Sequence, residues 1–212
     1  MRIKDKIKRP RRPVVVYEIL PPREKDGTLN SYAANISSLL SQTHIDAINI
    51  PEVRDEIARG ERPIKNQLRA KPREFGKLLQ DIVGIESIVN RVVVHQALEK
   101  EMIWFEETYN KYEIENLITV GGESRNITYP GPSVNKALEA IKQNEKLNVL
   151  CGGISIPSRE KESLRLIEKS NNGSEFFTTQ VLYDSSKIIK MISHYQKRCD
   201  EQNTFPRRLL LS

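Results

Sequence analysis

The sequence predicts an α/β fold, a TIM-type (β/α)8 barrel of which about six β/α units and the start of a seventh strand are present. Short β-branched runs alternate with amphipathic helical patterns from Val14 onward. Nearly continuous apolar strands, each followed by a helix, indicate a parallel sheet covered by helices. Polar or glycine-rich groups end five of the strands, and the carboxyl ends of barrel strands converge on one mouth. A closed barrel typically needs about 250 residues, whereas this chain has 212.

The strands are predicted from β-branched runs bounded by turn residues, and they cover residues 14–20, 47–50, 91–95, 117–120, 148–152, 176–183 and 208–211. The helices are predicted from apolar residues at helical spacing, and they cover residues 28–42, 72–83, 99–112, a segment beginning near 133, 159–169 and 185–201. Thr28 after Gly27 is typical of a helix N-cap. A smaller doubly wound sheet would also fit this number of units, but polar groups at five strand ends suit a ring better than an open crevice.

Positive charge is concentrated at the N-terminus. The formal net charge is +6, and residues 1–12 hold seven Lys or Arg residues against Asp5 alone. The rest of the chain is therefore balanced, and we predict no nucleic-acid partner. We interpret residues 1–13 as a basic tail and residues 14–212 as the barrel domain. Such a tail could contact RNA or an acidic membrane, but a solvated extension is the favoured interpretation because termini are usually polar and mobile.

The two cysteines, Cys151 and Cys199, lie in a strand pattern and a helix pattern. No disulfide framework is predicted, and a reducing compartment is indicated. No apolar run reaches the length of a membrane span, and the basic start lacks a signal-peptide cleavage pattern. We therefore predict a cytoplasmic protein that has no membrane partner. Histidines and cysteines do not cluster at ligand spacing, so no metal site is predicted.

Three candidate site residues are single polar side chains at strand ends. Glu18 lies in an otherwise apolar strand, where a carboxylate tends to hold the proton that a general acid requires. A glutamate that faces water is the competing interpretation. Asn49 ends the second strand, and His95 follows three valines. A lone histidine is more often structural than catalytic, but His95 is predicted to point toward the same mouth as the other candidates.

Glycine pairs supply two further candidates. The turn Gly121-Gly122-Glu123 follows the fourth strand, where glycines let backbone N–H groups approach an anion or a flat ring, or simply permit a sharp turn. Gly152-Gly153 is predicted to make a similar break after the fifth strand, and Cys151 before it is interpreted as a small buried residue. The charge-rich connection at 52–71 could be a lid over the mouth or a solvated surface.

Two motifs resemble those of the methylenetetrahydrofolate reductase family. Tyr17-Glu18-Ile19-Leu20-Pro21-Pro22 is similar to its first-strand signature of an aromatic residue, a glutamate, two hydrophobic residues and paired prolines. The stretch from Gly173 through Thr178-Thr179-Gln180 to Tyr183-Asp184 is similar to its sixth-strand signature. The resemblance extends from about Val14 to the last residue.

This resemblance implies a flavoenzyme on an eight-stranded barrel. In that family FAD takes a hydride from NADH or NADPH and passes it to the methylene carbon of 5,10-methylenetetrahydrofolate, giving 5-methyltetrahydrofolate. Glu18 would be the acid that assists opening of the folate ring, and Glu123 would be a second catalytic carboxylate. Gln180 and Asn49 would bind the substrate. The residues implied to contact the flavin are His95, Gly121, Gly122 and Lys169.

Two alternatives stay open. The chain could be a non-catalytic or accessory barrel subunit of a one-carbon or methyl-transfer complex, as the Gly121-Gly122-Glu123 turn and the incomplete barrel suggest. It could also be an unrelated barrel that binds a phosphorylated metabolite through its glycine pairs. In the folate interpretation the ligand is a reduced folate or related pterin. We expect a second copy or a partner subunit to cover the open barrel edge, because an uncovered apolar edge strand favours aggregation.

Overall fold

Parallel strands form one curved sheet in the computed structural model, which describes residues 2–9, 12–53, 68–122 and 126–212. In that part of the chain the strands are β1 (Val16–Glu18), β2 (Ala47–Ile50), β3 (Ser87–Val92), β4 (Asn116–Val120), β5 (Leu150–Ser155), β6 (Phe176–Thr179) and β7 (Arg208–Leu210). Their order across the sheet is their order along the chain, and each neighbouring pair is parallel. This nearly closed ring confirms the prediction of an incomplete TIM-type barrel.

Helices alternate with these strands and surround the sheet. They are α1 (Ile3–Lys8), α2 (Leu29–Leu40), α3 (Pro72–Val83), α4 (Leu98–Asn110), α5 (Val134–Gln143), α6 (Glu162–Asn171) and α7 (Ser185–Glu201). The Thr28 side chain accepts a hydrogen bond from the Ser31 N–H, which confirms the predicted cap of α2. Apolar side chains of β2, α2 and α3 pack together on the outer face of the sheet. Similar outer clusters join β3, β4 and β5 to α4 and α5, and β6 to α6 and α7.

The predicted boundaries of β3 and β6 were wrong. β3 begins at Ser87 and ends at Val92, before a short 3-10 helix at Val93–His95, so the prediction of residues 91–95 started too late. β6 ends at Thr179, four residues earlier than predicted. The polar residues within β3 concealed its start, because they have specific buried environments that a hydrophobicity pattern does not reveal.

The glycines after Cys151 lie within β5 and are not a loop that follows it. Gly152 faces inward, and a Cβ atom there would lie 2.5 Å from Cζ of Phe176. The aromatic ring of Phe176 therefore restricts this position to glycine. This observation is the physical reason that the predicted strand-five turn was wrong. Cys151 itself is buried as predicted, and its burial raises the pKa of its thiol to about 12.

The N-terminal segment is a helix that closes the bottom of the barrel. Ile3 and Ile7 are fully buried against inward-facing residues of the strands, which are Ala47, Ile88, Ile118, Leu150 and Phe176. The interpretation of this segment as a solvated tail was wrong. Ile3 and Ile7 are four residues apart, so both lie on the same face of a helix while the basic residues occupy the others.

The positive charges of the N-terminal segment meet acidic residues at the start of four strands. These acidic residues directly precede β2, β3, β4 and β6, and they are Asp46, Glu86, Glu115 and Glu175. Arg2 pairs with both Glu86 and Glu115, and Lys8 pairs with Glu175. We call these four carboxylates the acidic ring. The basic excess of the sequence is thus partly neutralised within the molecule.

Asp46 is the most buried member of the acidic ring, with 4% of its surface exposed. Its carboxylate accepts hydrogen bonds from both terminal nitrogens of Arg12, at 2.7 and 3.1 Å, and from the Val15 N–H at 2.9 Å. Lys6 Nζ lies 3.0 Å from its Oδ1. Burial alone raises the pKa of Asp46, but the hydrogen bonds from Val15, Lys6 and Arg12 outweigh it, so the pKa is lowered.

The sheet does not close within the described residues, because β1 and β7 end the strand order and do not pair with each other. Val15, Tyr17 and Leu211 are exposed at or beside these two strands. The expectation that a second copy or a partner subunit covers this edge stays a prediction.

None of the helices in the described ranges has the length and apolarity that crossing a bilayer requires.

We predict that Asp46→Asn lowers the free energy of unfolding by about 1–3 kcal/mol at pH 7, because the charged hydrogen bonds to the N-terminal segment are weakened. The lowered pKa of Asp46 means that its contribution is present above its ordinary pKa of 3.8 and is lost as the pH falls through the folded-state value. Urea unfolding at pH 7 and at acidic pH measures both effects.

The control is Asp81→Asn on α3, where an aspartate about half exposed pairs with Lys77. We expect this change to cost about 0.5 kcal/mol or less. Equal destabilisation by the two substitutions would contradict the role assigned to Asp46.

Candidate functional site

A cavity of about 220 Å³ lies inside the barrel and is lined by inward-facing residues of β1, β2, β3, β4, β6 and β7. Its wall is polar and apolar in nearly equal parts, and its polar side chains include Glu18, Asn49 and Thr178. A larger groove of about 450 Å³ lies outside the barrel between α6 and α7, where Arg159, Glu160 and two lysines line it. We identify the interior cavity as the candidate site because Glu18 and Asn49 line it together and the buried Asn49 Oδ1 has no hydrogen-bond partner among the described residues.

Glu18 and Asn49 are neighbours in this cavity. They are paired in register on β1 and β2, and the Asn49 Nδ2 donates a hydrogen bond of 2.8 Å to Glu18 Oε2. Glu18 is exposed. The expectation of an apolar environment around this carboxylate was therefore wrong, because the short strand β1 lies at the open edge of the sheet and ends at Glu18.

Asn49 presents an unused acceptor. Its side chain is buried, with 5% exposure, and its Oδ1 has no hydrogen-bond partner among the described residues. The hydrogen bond from Nδ2 to Glu18 fixes the orientation of the amide, because an ionised carboxylate can only accept. The Oδ1 atom is therefore held as an acceptor. A buried acceptor of this kind is costly unless a ligand or water supplies a donor.

Asn90 on β3 carries a second unused acceptor, and sequence reasoning missed it. Its side chain is 6% exposed, and its Oδ1 likewise has no hydrogen-bond partner in the described part of the chain. Asn90 pairs in register with Ile118, which lines the cavity, so Asn90 also faces inward. Asn90 lies two positions after inward-facing Ile88, and residues two apart on a strand face the same side. Had the start of β3 been predicted correctly, this spacing would have placed Asn90 inside the barrel.

Gln180 directly follows β6 and is exposed. Its backbone N–H donates to the Ser155 carbonyl, 3.0 Å away, which fixes the main chain at the end of the strand. Thr178, two positions earlier, lines the cavity instead. The predicted substrate contact at Gln180 stays a prediction about a side chain at the rim of the barrel.

The segment after β4 folds back over the end of β3. The Gly131 N–H donates to the Val94 carbonyl at 2.8 Å, and the ring of Tyr129 meets His95 edge-on at 5.7 Å between centroids. A Cβ atom at Gly122 would overlap the Tyr129 ring, so Gly122 provides the space that this ring occupies. His95, Gly122 and Tyr129 therefore form one packed group. Glu123 lies outside the described residues, as does most of the charge-rich connection between 52 and 71.

Lys169 lies on the outer face of the sheet, away from the interior cavity. Its side chain runs beneath α6 past Gly153, and its ammonium donates to the Ile154 carbonyl at 2.5 Å. Glu162 Oε1 is 4.0 Å away. Burial lowers the pKa of Lys169. The Lys169 ammonium is thus held by a main-chain carbonyl at the end of β5 and by Glu162.

A buried ion cluster holds the ends of β2 and β3 together, and sequence reasoning did not detect it. Arg91 makes two hydrogen bonds of 2.8 Å to Glu101 on α4 and one of 2.9 Å to Glu52. Glu52 also accepts the Val92 N–H at 2.7 Å. The Arg91 guanidinium lies 4.7 Å from the centre of the Trp104 ring. Because this cluster fixes the strand ends, it supports the wall on which Asn49 and Asn90 stand.

No family model and no curated protein matches the sequence. Solved structures do match the fold. An uncharacterized protein from Clostridium thermocellum that binds two copies of 5-methyl-5,6,7,8-tetrahydrofolic acid aligns with a TM-score of 0.76 and 20% identity, over 98% of this chain and 68% of that one. The fold is that of a TIM-type barrel.

Two further neighbours are more distant. N-acetylneuraminate lyase from Fusobacterium nucleatum complexed with pyruvate gives a TM-score of 0.58 at 11% identity, over 93% of this chain and 61% of the lyase. A mandelate racemase/muconate lactonizing protein from Paracoccus denitrificans gives 0.55 at 7%, over 94% and 47%. Identities this low show a shared fold and do not establish an activity. The chain spans less than two thirds of both proteins.

We predict that Gly122→Ala moves the Tyr129 ring away from His95, because the added methyl group and the ring cannot share one position. The matched control is Gly121→Ala, whose Cβ would lie 3.3 Å from Cγ2 of Val134 and would not touch the ring. NMR shifts of the His95 and Tyr129 rings measure the change. We expect large shifts in the first variant and small ones in the second, and equal spectra would contradict this packing.

Proposed function

We propose that this chain binds a reduced folate or a related pterin in the interior of the barrel, with the pterin ring against Glu18 and Asn49. The observation that carries the proposal is the pairing of a carboxylate with a buried amide oxygen that lacks a donor. A pterin presents two neighbouring donors, the ring N3–H and the 2-amino group. A carboxylate can accept both at once, as it does from arginine.

The size of the cavity supports this orientation. A volume of about 220 Å³ is below the usual range for a whole drug-sized ligand. The bicyclic ring is the compact and rigid part of a folate, whereas the aminobenzoyl-glutamate tail is long and anionic. The ring therefore enters the barrel and the tail leaves through the mouth. The Clostridium thermocellum protein, which has the same fold and binds 5-methyltetrahydrofolic acid, also supports a folate ligand.

A second candidate function is the reductase reaction. It is supported by the similarity of the Glu18 and Gln180 motifs to methylenetetrahydrofolate reductases, and in it Glu18 would donate the proton that opens the folate ring. Its exposed position allows Glu18 to exchange that proton with water. FAD would supply the redox chemistry, with NADH or NADPH as the hydride donor.

Two of the residues implied to hold FAD have other partners in this structure. Lys169 lies on the outer face of the sheet, while Tyr129 fills the space beside Gly122. A flat ring at Gly122 requires Tyr129 to leave. This arrangement favours a folate-binding barrel without flavin, which agrees with a subunit that serves a one-carbon or methyl-transfer complex.

We predict that the protein binds 5-methyltetrahydrofolate in isothermal titration calorimetry and that Glu18→Gln weakens binding by about 10- to 100-fold, because hydrogen bonds to a charged acceptor are lost. The control is Glu139→Gln, which changes the same residue type on the exposed face of α5. Binding that is insensitive to Glu18→Gln would place the pterin elsewhere.

The visible absorption spectrum distinguishes the two candidate functions. The protein is mixed with FAD and titrated anaerobically with NADH and then NADPH. We expect no protein-bound flavin spectrum, because Tyr129 occupies the space beside Gly122. Bound flavin that bleaches with either donor would instead establish the first half of the reductase reaction.

A further inference from the structure

The inner wall of the barrel offers acceptors at two separated points. One point is the Glu18–Asn49 pair. The hydrogen bond from Asn49 Nδ2 to Glu18 orients the amide, and Asn49 Oδ1 accepts no hydrogen bond from a described residue. The other is Asn90 Oδ1, which is also buried and without a hydrogen-bond partner among the described residues. Both unpaired atoms belong to side chains more than nine-tenths buried. A ligand that fits this wall must therefore bring donors to both points.

The register sets the distance between the two points. Asn49 is paired with Ile88, and Asn90 lies two residues further along β3 on the same face. With neighbouring strands about 4.8 Å apart and a rise of about 3.3 Å per residue, the Cα atoms of Asn49 and Asn90 are separated by roughly 8 Å. Two donors at opposite ends of one bicyclic ring can reach two side chains at this separation.

The donor pattern of a pterin depends on its oxidation state at one of these ends. The N3–H and 2-amino donors exist in every neutral pterin. The nitrogen at position 8 carries a hydrogen in tetrahydropterins, but in the fully oxidised ring it is a bare acceptor. If the N3 end meets Glu18 and Asn49, the N8 end extends along the wall toward the position of Asn90. An acceptor that faces another acceptor is repelled and stays unsatisfied.

We propose that Asn90 is a specificity-determining residue that accepts a hydrogen bond from N8–H of the ligand and thereby selects tetrahydropterins over fully oxidised pterins. The proposal rests on the proposed function, because it assumes a pterin in this cavity. It adds a residue and a selection rule that the motif resemblance does not contain. Discrimination of this kind is strong where a buried polar group would otherwise lose its partner.

The test compares the affinities of 5-methyltetrahydrofolate, folic acid and an 8-deaza-tetrahydrofolate, in which a CH₂ group replaces N8–H. We expect the wild-type protein to bind 5-methyltetrahydrofolate at least about tenfold more tightly than either of the other two. Asn90→Leu removes the acceptor and keeps the number and branching of the side-chain heavy atoms. It should weaken 5-methyltetrahydrofolate about tenfold and leave the 8-deaza compound nearly unchanged.

Asn90→Asp is the matched variant, because it keeps acceptor oxygens at the same place, and it should retain the preference for N8–H. The comparison of ligands on wild-type protein remains decisive even where a variant fails to fold. Equal affinity of the wild-type protein for 5-methyltetrahydrofolate and its 8-deaza analogue overturns the role of Asn90 but leaves folate binding intact. Binding of none of the three ligands overturns the proposed function and the selection rule together.

Discussion

In-register parallel pairing is the constraint on which the rest of this molecule depends. Because side chains alternate between the two faces of a strand, a fixed register decides which residue of every strand enters the barrel. Glu18, Asn49 and Ile88 are joined by register across three strands, and Ile118 stands beside Asn90. A slip of one residue would exchange the cavity wall with the surface that packs against the helices. The candidate site is thus a consequence of the same pairing that builds the core.

The buried carboxylate at the bottom of the barrel has hydrogen-bond partners, whereas two buried amide oxygens in its interior have none among the described residues. At the bottom, Asp46 is buried and receives hydrogen bonds from Lys6, Arg12 and Val15, so its charge is compensated. Inside the barrel, Asn49 and Asn90 are buried to a similar extent, but each has an oxygen that accepts no hydrogen bond from a described residue. A folded protein gains nothing in stability from such atoms. Their presence on the inner face of the sheet is therefore better explained by a ligand than by packing.

The alternation of strands and helices made the barrel predictable, and it also put Glu18 and Asn49 correctly at neighbouring strand ends. Other parts of the site could not be predicted, because they depend on contacts between distant segments. The hydrophobic pattern concealed the start of β3 and with it Asn90. The positions of Tyr129 over Gly122 and of Lys169 behind the sheet depend on loops and helices whose paths a strand pattern does not specify.

The sequence by itself determined the class of the fold, the number and order of the β/α units, and the burial of Cys151, because local periodicity and the pairing rules of parallel strands suffice for these. Tertiary structure alone decided that the basic N-terminal segment is a helix packed against the bottom of the barrel. It also decided that Glu18 is exposed and that Asn90 belongs to the site. The acidic ring shows why: Asp46, Glu86, Glu115 and Glu175 are far apart in the chain, and only the curvature of the sheet gathers them around one short basic helix.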